Sequence, residues 1–121
     1  MTHIRLVLAA AAAALALAGP AASAPAAPAK LLGTVGPGFV ITLKDAKGKP
    51  VKTLKAGRYT FVIKDKSAIH NFHLSGPGLN RVFTSVPFQG TKTFTLTLKK
   101  GKYSFVCDPH NTSMHGAFKV V

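Results

Sequence analysis

From residue 31 onward, the chain alternates apolar and polar side chains with a period of two, the pattern of half-buried β-strands. The cleanest example is residues 91–98, where Phe94, Leu96 and Leu98 alternate with threonines. Glycine, proline and aspartate interrupt the alternation at short intervals, and no helical period of any length is present. Seven or eight short strands with frequent turns predict an all-β sandwich of Greek-key type.

The first 30 residues differ from the rest in composition. Arg5 precedes an apolar alanine–leucine run over residues 6–18, which is shorter than the roughly 20 residues that a membrane span needs. A charged start, a short apolar stretch and small residues after it predict a secretory signal peptide over residues 1–24, cut between 19 and 29. An alanine–proline linker over 25–30 and one domain over 31–121 follow. We therefore expect a periplasmic or extracellular protein with no transmembrane anchor.

The only cysteine lies at the end of a predicted strand near the C-terminus. Cys107 shares one face of that strand with Tyr103 and Phe105, and the proline two residues later stops the strand. His110 and Met114 follow in the next loop. Thiolate, imidazole and thioether donors suit copper, and two histidines, one cysteine and a long axial methionine form the blue-copper arrangement.

The second histidine of such a site is expected upstream, within residues 67–74. Alternation places His70 on the apolar face with Phe72 and Leu74, and places His73 on the opposite face. A sandwich can bring two distant strands together at one end of its core, so His70 is the predicted partner of the cysteine loop.

Each of these residues also has a purely structural interpretation. A single cysteine in a sandwich is most often a small buried hydrophobe, and in an exported chain it can be a free or intermolecular thiol. A histidine on an apolar face is usually a core residue with satisfied hydrogen bonds. The copper interpretation is favoured because several ligand types converge on one loop and one upstream strand.

The motif Cys-x-Pro-His with a methionine nearby and an upstream His-Asn resembles the small cupredoxins plastocyanin, pseudoazurin and amicyanin over residues 31–121. The resemblance implies a copper ion, Cu(I) or Cu(II), held by four residues: His70, Cys107, His110 and Met114. It also implies that Asn71 ties the two ligand loops together by a hydrogen bond. The residue after the cysteine is Asp108, where those relatives usually carry a hydroxyl. Because the spacing to the methionine also differs from theirs, His115 is an alternative axial ligand.

The charge balance is strongly basic, with 16 lysines and arginines against three acidic residues and a net charge of +13. The lysines are spread over turns and outward strand positions, which is typical either of a solvated surface or of attraction to an acidic redox partner protein or an anionic surface. Nucleic acid is not expected, because no basic motif with interleaved aromatic residues is present. We expect a monomer.

Three classes of function remain open. One is a mobile one-electron carrier, docking through an apolar rim around His110 that Pro37, Pro87, Phe88 and the loop of residues 76–78 would form. Another is an extracytoplasmic copper-binding carrier or buffer in which His73, Met114 and His115 supply extra ligands. The last is a sandwich that binds no metal. The sequence favours the electron carrier, and no enzymatic activity is expected because a single domain lacks the histidines for further copper sites.

Overall fold

The structure is a computed structural model that describes residues 10–15, 19 and 26–121. Most of the predicted signal peptide (1–24) and the first residue of the predicted linker lie outside the described residues. Within the described part of the chain, no helix is long and apolar enough to cross a membrane.

The described residues form nine strands and one short helix. In chain order they are β1 (Ala29–Val35), β2 (Ile41–Asp45), β3 (Thr53–Leu54), β4 (Gly57–Asp65), β5 (Phe72–Gly76), β6 (Leu79–Thr84), β7 (Gly90–Leu98), β8 (Gly101–Val106), a 3-10 helix (Asp108–His110) and β9 (His115–Val120).

The strands build two sheets that pack face to face. One sheet has four strands in the order β2-β1-β4-β7, and the other has five in the order β3-β9-β8-β5-β6. Neighbours pair antiparallel except β1 with β4 and β3 with β9, which are parallel. The chain passes repeatedly from one sheet to the other, as in a Greek-key sandwich. The predicted all-β sandwich is confirmed, with nine strands in the described residues where seven or eight were expected.

The alternation in the sequence places the core between the sheets. In β4, Phe61 and Ile63 are fully buried, whereas Arg58 and Lys64 are exposed. The largest fully buried side chains are aromatic and branched aliphatic residues from both sheets, together with one methionine and one histidine: Tyr103, Phe61, Phe72, Phe83, Leu31, Ile63, Leu74, Leu98, Met114, His70, Val35 and Val120. The core therefore continues to the end of the sandwich where the candidate ligands lie.

Two predicted strand starts were wrong. The alternation of Phe39, Ile41 and Leu43 with Val40, Thr42 and Lys44 predicts a strand that starts at Phe39, but β2 begins at Ile41 and Phe39 is 62% exposed. His70 was expected within a strand, but it lies in the turn before β5. The prediction that the His70 side chain points into the core is nevertheless confirmed, because that side chain is fully buried.

The loop of residues 76–78 is not part of a rim around His110. It joins β5 to β6 at the other end of the sandwich, where Gly76 lies against the Tyr103 ring and Pro77 lies against Gly101. Both contact residues are near the start of β8, whereas Cys107 follows its last residue. Because β5 runs antiparallel to β8, the end of β5 and the end of β8 lie at opposite ends of the molecule.

Candidate metal centre

Three ligand-type side chains from two distant segments meet at one end of the sandwich. The Nδ1 atoms of His70 and His110 are 3.1 Å apart, and Cys107 Sγ is 3.7 Å from the first and 3.6 Å from the second. Among the histidine, cysteine, aspartate and glutamate side chains that the structure describes, these three form the group whose ligand atoms lie close enough together to hold one metal ion. The predicted pairing of an upstream histidine with the cysteine loop is thus present in the structure.

The spacing of the donor atoms fits one metal ion. Bonds of about 2.0 Å to imidazole nitrogen and about 2.3 Å to thiolate sulfur, at trigonal angles, place donor atoms about 3.5 to 3.7 Å apart. The observed sulfur–nitrogen distances of 3.6 and 3.7 Å match, and the nitrogen–nitrogen distance of 3.1 Å is slightly shorter. A soft thiolate with two imidazoles is the donor set that suits copper.

The His70 ring is oriented by the loop between β1 and β2. Its Nε2 lies 3.0 Å from the carbonyl oxygen of Gly38, which can only accept, so Nε2 carries the proton and Nδ1 keeps its lone pair for the centre. Gly36 makes this close approach possible. It has a φ of 74°, and a Cβ at that position would lie 2.9 Å from Ser67 Cβ and 3.2 Å from His70 Cδ2.

The cysteine loop is closed by backbone hydrogen bonds. The Cys107 amide donates to the Met114 carbonyl at 3.0 Å, and the amides of His110 and Met114 donate to the carbonyls of Cys107 and His110 at 3.0 and 2.8 Å. Cys107 and Met114 are buried, with exposures of 0% and 1%. His115 is the exposed first residue of β9. Burial therefore favours Met114 over His115 as the side chain that faces the centre.

Asn71 and Asp108 connect the two segments that carry the ligands by a reciprocal pair of hydrogen bonds. Asn71 Nδ2 donates to Asp108 Oδ2 at 2.8 Å, and the Asp108 amide donates to Asn71 Oδ1 at 2.7 Å. Asn71 is buried, with 6% of its surface exposed. Asp108 thus ties the cysteine loop to the segment before β5 through both its carboxylate and its backbone amide.

His73 lies outside the donor cluster, in a network around Asp108. Its Nδ1 is 3.0 Å from the carboxylate, and its Nε2 is hydrogen-bonded to Asn80 Oδ1. Partial burial alone would lower the pKa of His73, but the bonds to Asp108 and Asn80 and the charge of Asp108 outweigh burial and raise it. Burial alone would raise the pKa of Asp108, but hydrogen bonds from Asn71 and His73 and the charge of His73 lower it.

Phe39 is a residue of the centre that sequence reasoning missed. Its ring centroid is 5.4 Å from that of His70 and 5.0 Å from that of His110, in edge-on contacts with both. The available signal was its position directly after the Gly36-Pro37-Gly38 turn, because an aromatic residue leaving such a turn need not continue the strand that follows.

Asp65 supports the turn that carries His70, and the sequence analysis missed it as well. Its side chain is 3% exposed, and Oδ1 accepts the Ser67 amide at 3.1 Å, whereas Oδ2 has no hydrogen-bond partner in the described residues. Ser67 in turn accepts the Ile69 amide through Oγ at 3.4 Å and the His70 amide through its carbonyl at 3.3 Å. The signal was an aspartate at a core position of an alternating strand.

Comparison with known proteins agrees with this architecture. The family described as the cupredoxin-like domain matches residues 7–120. Among solved structures, variant rusticyanin has a TM-score of 0.50 at 24% identity and covers 76% of each chain. A reduced amicyanin variant has a TM-score of 0.51 at 18% identity over 80% of this chain and 87% of that one. A chain of a heme-copper terminal oxidase dimer has a TM-score of 0.51 at 19% identity over 76% of this chain and 63% of that one.

These structural similarities show a shared fold. No curated protein sequence matches this chain.

Proposed function

This chain belongs to the cupredoxin-like family, and on that premise we propose that it is an exported type 1 (blue) copper protein that carries single electrons. The proposal rests mainly on the cysteine sulfur and the two imidazole Nδ1 atoms, which lie 3.1 to 3.7 Å from one another. We assign the copper ligands to His70, Cys107 and His110, with Met114 as the axial ligand.

The surrounding residues favour reversible electron transfer. A bound copper ion supplies the one-electron chemistry by cycling between Cu(I) and Cu(II). His70 is held by the Gly38 carbonyl, and the Cys107 amide is bonded to the Met114 carbonyl, so the donors are fixed from both ligand segments. Donors held in this way need little rearrangement between the two oxidation states, which keeps the barrier to electron transfer low.

His110 is the proposed exit for the electron. Of the three donors it alone is partly exposed, whereas His70 and Cys107 have no exposed surface. The His110 ring contacts Phe39 in the loop between β1 and β2. Two further exposed apolar residues lie at this end of the sandwich: Val40 in that same loop, and Ile69 in the loop between β4 and β5 that carries His70. A small apolar surface of this kind suits a brief encounter with a redox partner, which the basic remainder of the molecule would attract if that partner is acidic.

The copper-buffer alternative has less support. It needs extra ligands near the centre, but His73 is engaged by Asp108 and Asn80, and His115 is exposed on β9. Neither belongs to the donor cluster in the described residues. Export to the periplasm or the extracellular space stays part of the proposal, supported by the composition of residues 1–24.

The visible spectrum of the protein loaded with Cu(II) tests the proposal. We expect an intense thiolate-to-copper band that disappears in Cys107→Ser, since a serine hydroxyl cannot replace the soft thiolate. The matched control is His115→Ala, which removes an imidazole from the adjacent β9 and should leave the band unchanged. A Cys107→Ser protein that stays intensely blue would refute the ligand assignment. A wild-type protein that binds copper with only a weak band would favour the buffer.

A further inference from the structure

The outer surface of the four-stranded sheet carries seven of the chain's eleven threonines. The edge strand β7 contributes a row of four exposed residues, Thr91, Thr93, Thr95 and Thr97. The neighbouring strands add Thr34, Thr42 and Thr60. Thr95 lies opposite Thr60, with 3.1 Å between the two hydroxyl oxygens, and Thr34 lies opposite Thr42. Short hydroxyl side chains thus form two groups on this sheet surface: the row along β7 with Thr60 beside it, and the Thr34–Thr42 pair on β1 and β2, with Lys64 between that pair and Thr91.

Four cationic side chains share this surface, which we name the threonine–lysine face. Lys30, Lys44, Arg58 and Lys64 are all exposed and occupy outward positions of β1, β2 and β4. Arg58 lies opposite Thr97, and Lys64 lies opposite Thr91. The cations are therefore distributed among the threonines and not collected in one turn.

None of the three aspartates of the chain neutralises this face. Asp45 accepts the amides of Lys47 and Lys49 within its own turn, at 2.9 and 3.0 Å. Asp65 is buried. Asp108 is paired with His73 at the end of the sandwich where His70, Cys107 and His110 meet, which we call the metal end. The face therefore presents positive charge with no carboxylate to balance it among the described residues, and a ligand that supplies the missing anions would be attracted to it.

We propose that the threonine–lysine face binds an acidic polysaccharide. Carboxylate groups of the glycan would pair with the four cations, and its hydroxyl groups would exchange hydrogen bonds with the threonines. Threonine is suited to this role because its χ1 angle is restricted on a strand, so little side-chain entropy is lost on binding. The inference rests on the proposed export, since it requires the protein to meet extracytoplasmic glycans.

Two other polyanions fit the face less well. A membrane-binding surface buries aromatic or large aliphatic side chains in the lipid, but the apolar residues at outward positions here are Leu32, which is 37% exposed, and the partly buried Val62. Single-stranded nucleic acid stacks its bases on aromatic side chains, and the outward positions of these four strands hold none.

The face lies on the side of the sandwich, so a bound glycan would leave the metal end accessible. Phe39 lies in the loop before β2 and His110 in the short helix after β8, and neither belongs to the sheet surface. A carrier bound in this way would be concentrated along a polymer while its proposed electron exit stays free.

Binding of metal-free protein to polygalacturonate, with dextran as the neutral comparison, tests the inference separately from copper chemistry. One variant combines Lys30→Gln, Lys44→Gln, Arg58→Gln and Lys64→Gln. Its matched control removes the same charge from the β7–β8 turn and the other sheet by Lys99→Gln, Lys100→Gln, Lys102→Gln and Lys119→Gln. We expect the face variant to lose about tenfold or more in affinity and the control to lose about twofold or less, because surface charges act over roughly a Debye length.

A second variant tests the hydroxyls without changing charge. Thr93→Val with Thr97→Val keeps the shape of the exposed face and should weaken binding about threefold, as expected when about one net hydrogen bond is lost. Equal losses in the two charge variants would overturn the proposal, because binding would then follow total charge. Equal binding of dextran, or tighter binding to phosphatidylglycerol vesicles than to polygalacturonate, would overturn it too.

Discussion

At the scale of single residues, Asp108 joins the two ligand segments through side chain and backbone. Its carboxylate accepts from Asn71 and pairs with His73, and its amide donates back to Asn71. Because Asp108 directly follows Cys107, these contacts fix the start of the loop that also carries His110. One aspartate in a strongly basic chain thus connects the turn before β5, β5 itself and the cysteine loop.

The His73–Asp108 pair predicts how stability depends on pH. The pKa of His73 is raised above its usual 6.5 in the folded protein, so its contribution is complete below about pH 6.5 and is lost as pH rises through the raised value. The pKa of Asp108 is lowered below its usual 3.8, so its contribution is complete above about pH 3.8 and is lost as pH falls through the lowered value. The pair should therefore stabilise the fold most between about pH 4 and 6.5.

Thermal unfolding of metal-free protein across pH 3 to 9, compared with His73→Gln, measures this effect. The difference in melting temperature should be largest between about pH 4 and 6.5 and should shrink on both sides. Metal-free protein is required because loss of copper at low pH would add its own effect. A difference that stays constant across the range would show that His73 contributes by packing and not by charge.

At the scale of elements, the centre depends on where β8 ends and β9 begins. β8 lies inside its sheet between β9 and β5, so Cys107 emerges from a strand that is hydrogen-bonded on both sides. Gly116, the second residue of β9, lies opposite Phe105 in that pairing. The Phe105 ring occupies the space above Gly116 and stacks on Phe72, with ring centroids 5.6 Å apart. The loop between these strands is therefore anchored by aromatic packing as well as by hydrogen bonds.

Gly116→Ala should be destabilising, because its Cβ would overlap the Phe105 ring. Overpacking of this kind costs about 1 to 3 kcal/mol of unfolding free energy. Gly38→Ala is the matched control, since a Cβ at that position would meet nothing within 4 Å and the residue has no positive φ. Urea denaturation of both variants measures the difference, and equal stabilities would show that the Phe105 ring moves aside without cost.

At the scale of the whole molecule, the metal end and the sides of the sandwich differ in character. The loops at the metal end expose Phe39, Val40 and Ile69 together with Lys66, whereas most other lysines lie on the sheet surfaces and in the turns. With a net charge of +13, the molecule attracts anions at long range while its proposed contact surface is apolar. Charge would then set the rate of encounter, and the apolar end would set the geometry of contact.

The oxidation rate of the copper-loaded, reduced protein by small complexes tests this separation. The rate with hexacyanoferrate(III), an anion, should fall as salt is raised from about 10 mM to 500 mM, because the Debye length shortens from roughly 30 Å to a few ångströms. The rate with tris(phenanthroline)cobalt(III), a cation, should rise over the same range. If both rates respond to salt in the same direction, the net charge does not govern approach to the metal end.

The sequence by itself determined the secondary structure and the types of ligand. Alternation is local, so it predicted the strands and placed Cys107 and His70 on the core side, and the family resemblance predicted the tie through Asn71. Periodicity does not show where a strand starts after a turn. The alternation therefore predicts a strand from Phe39, whereas Phe39 lies in the loop before β2 with its ring in edge-on contact with both imidazoles.

Only the tertiary structure decided which strand ends share one end of the sandwich. The pairing of β5 with β8 brings His70 to Cys107 across 37 residues and carries the loop of residues 76–78 to the opposite end. The same pairing places His73 and Asp108 within hydrogen-bonding distance. Strand order results from packing over the whole chain, because many pairings satisfy the same local alternation and only one buries all the apolar faces together.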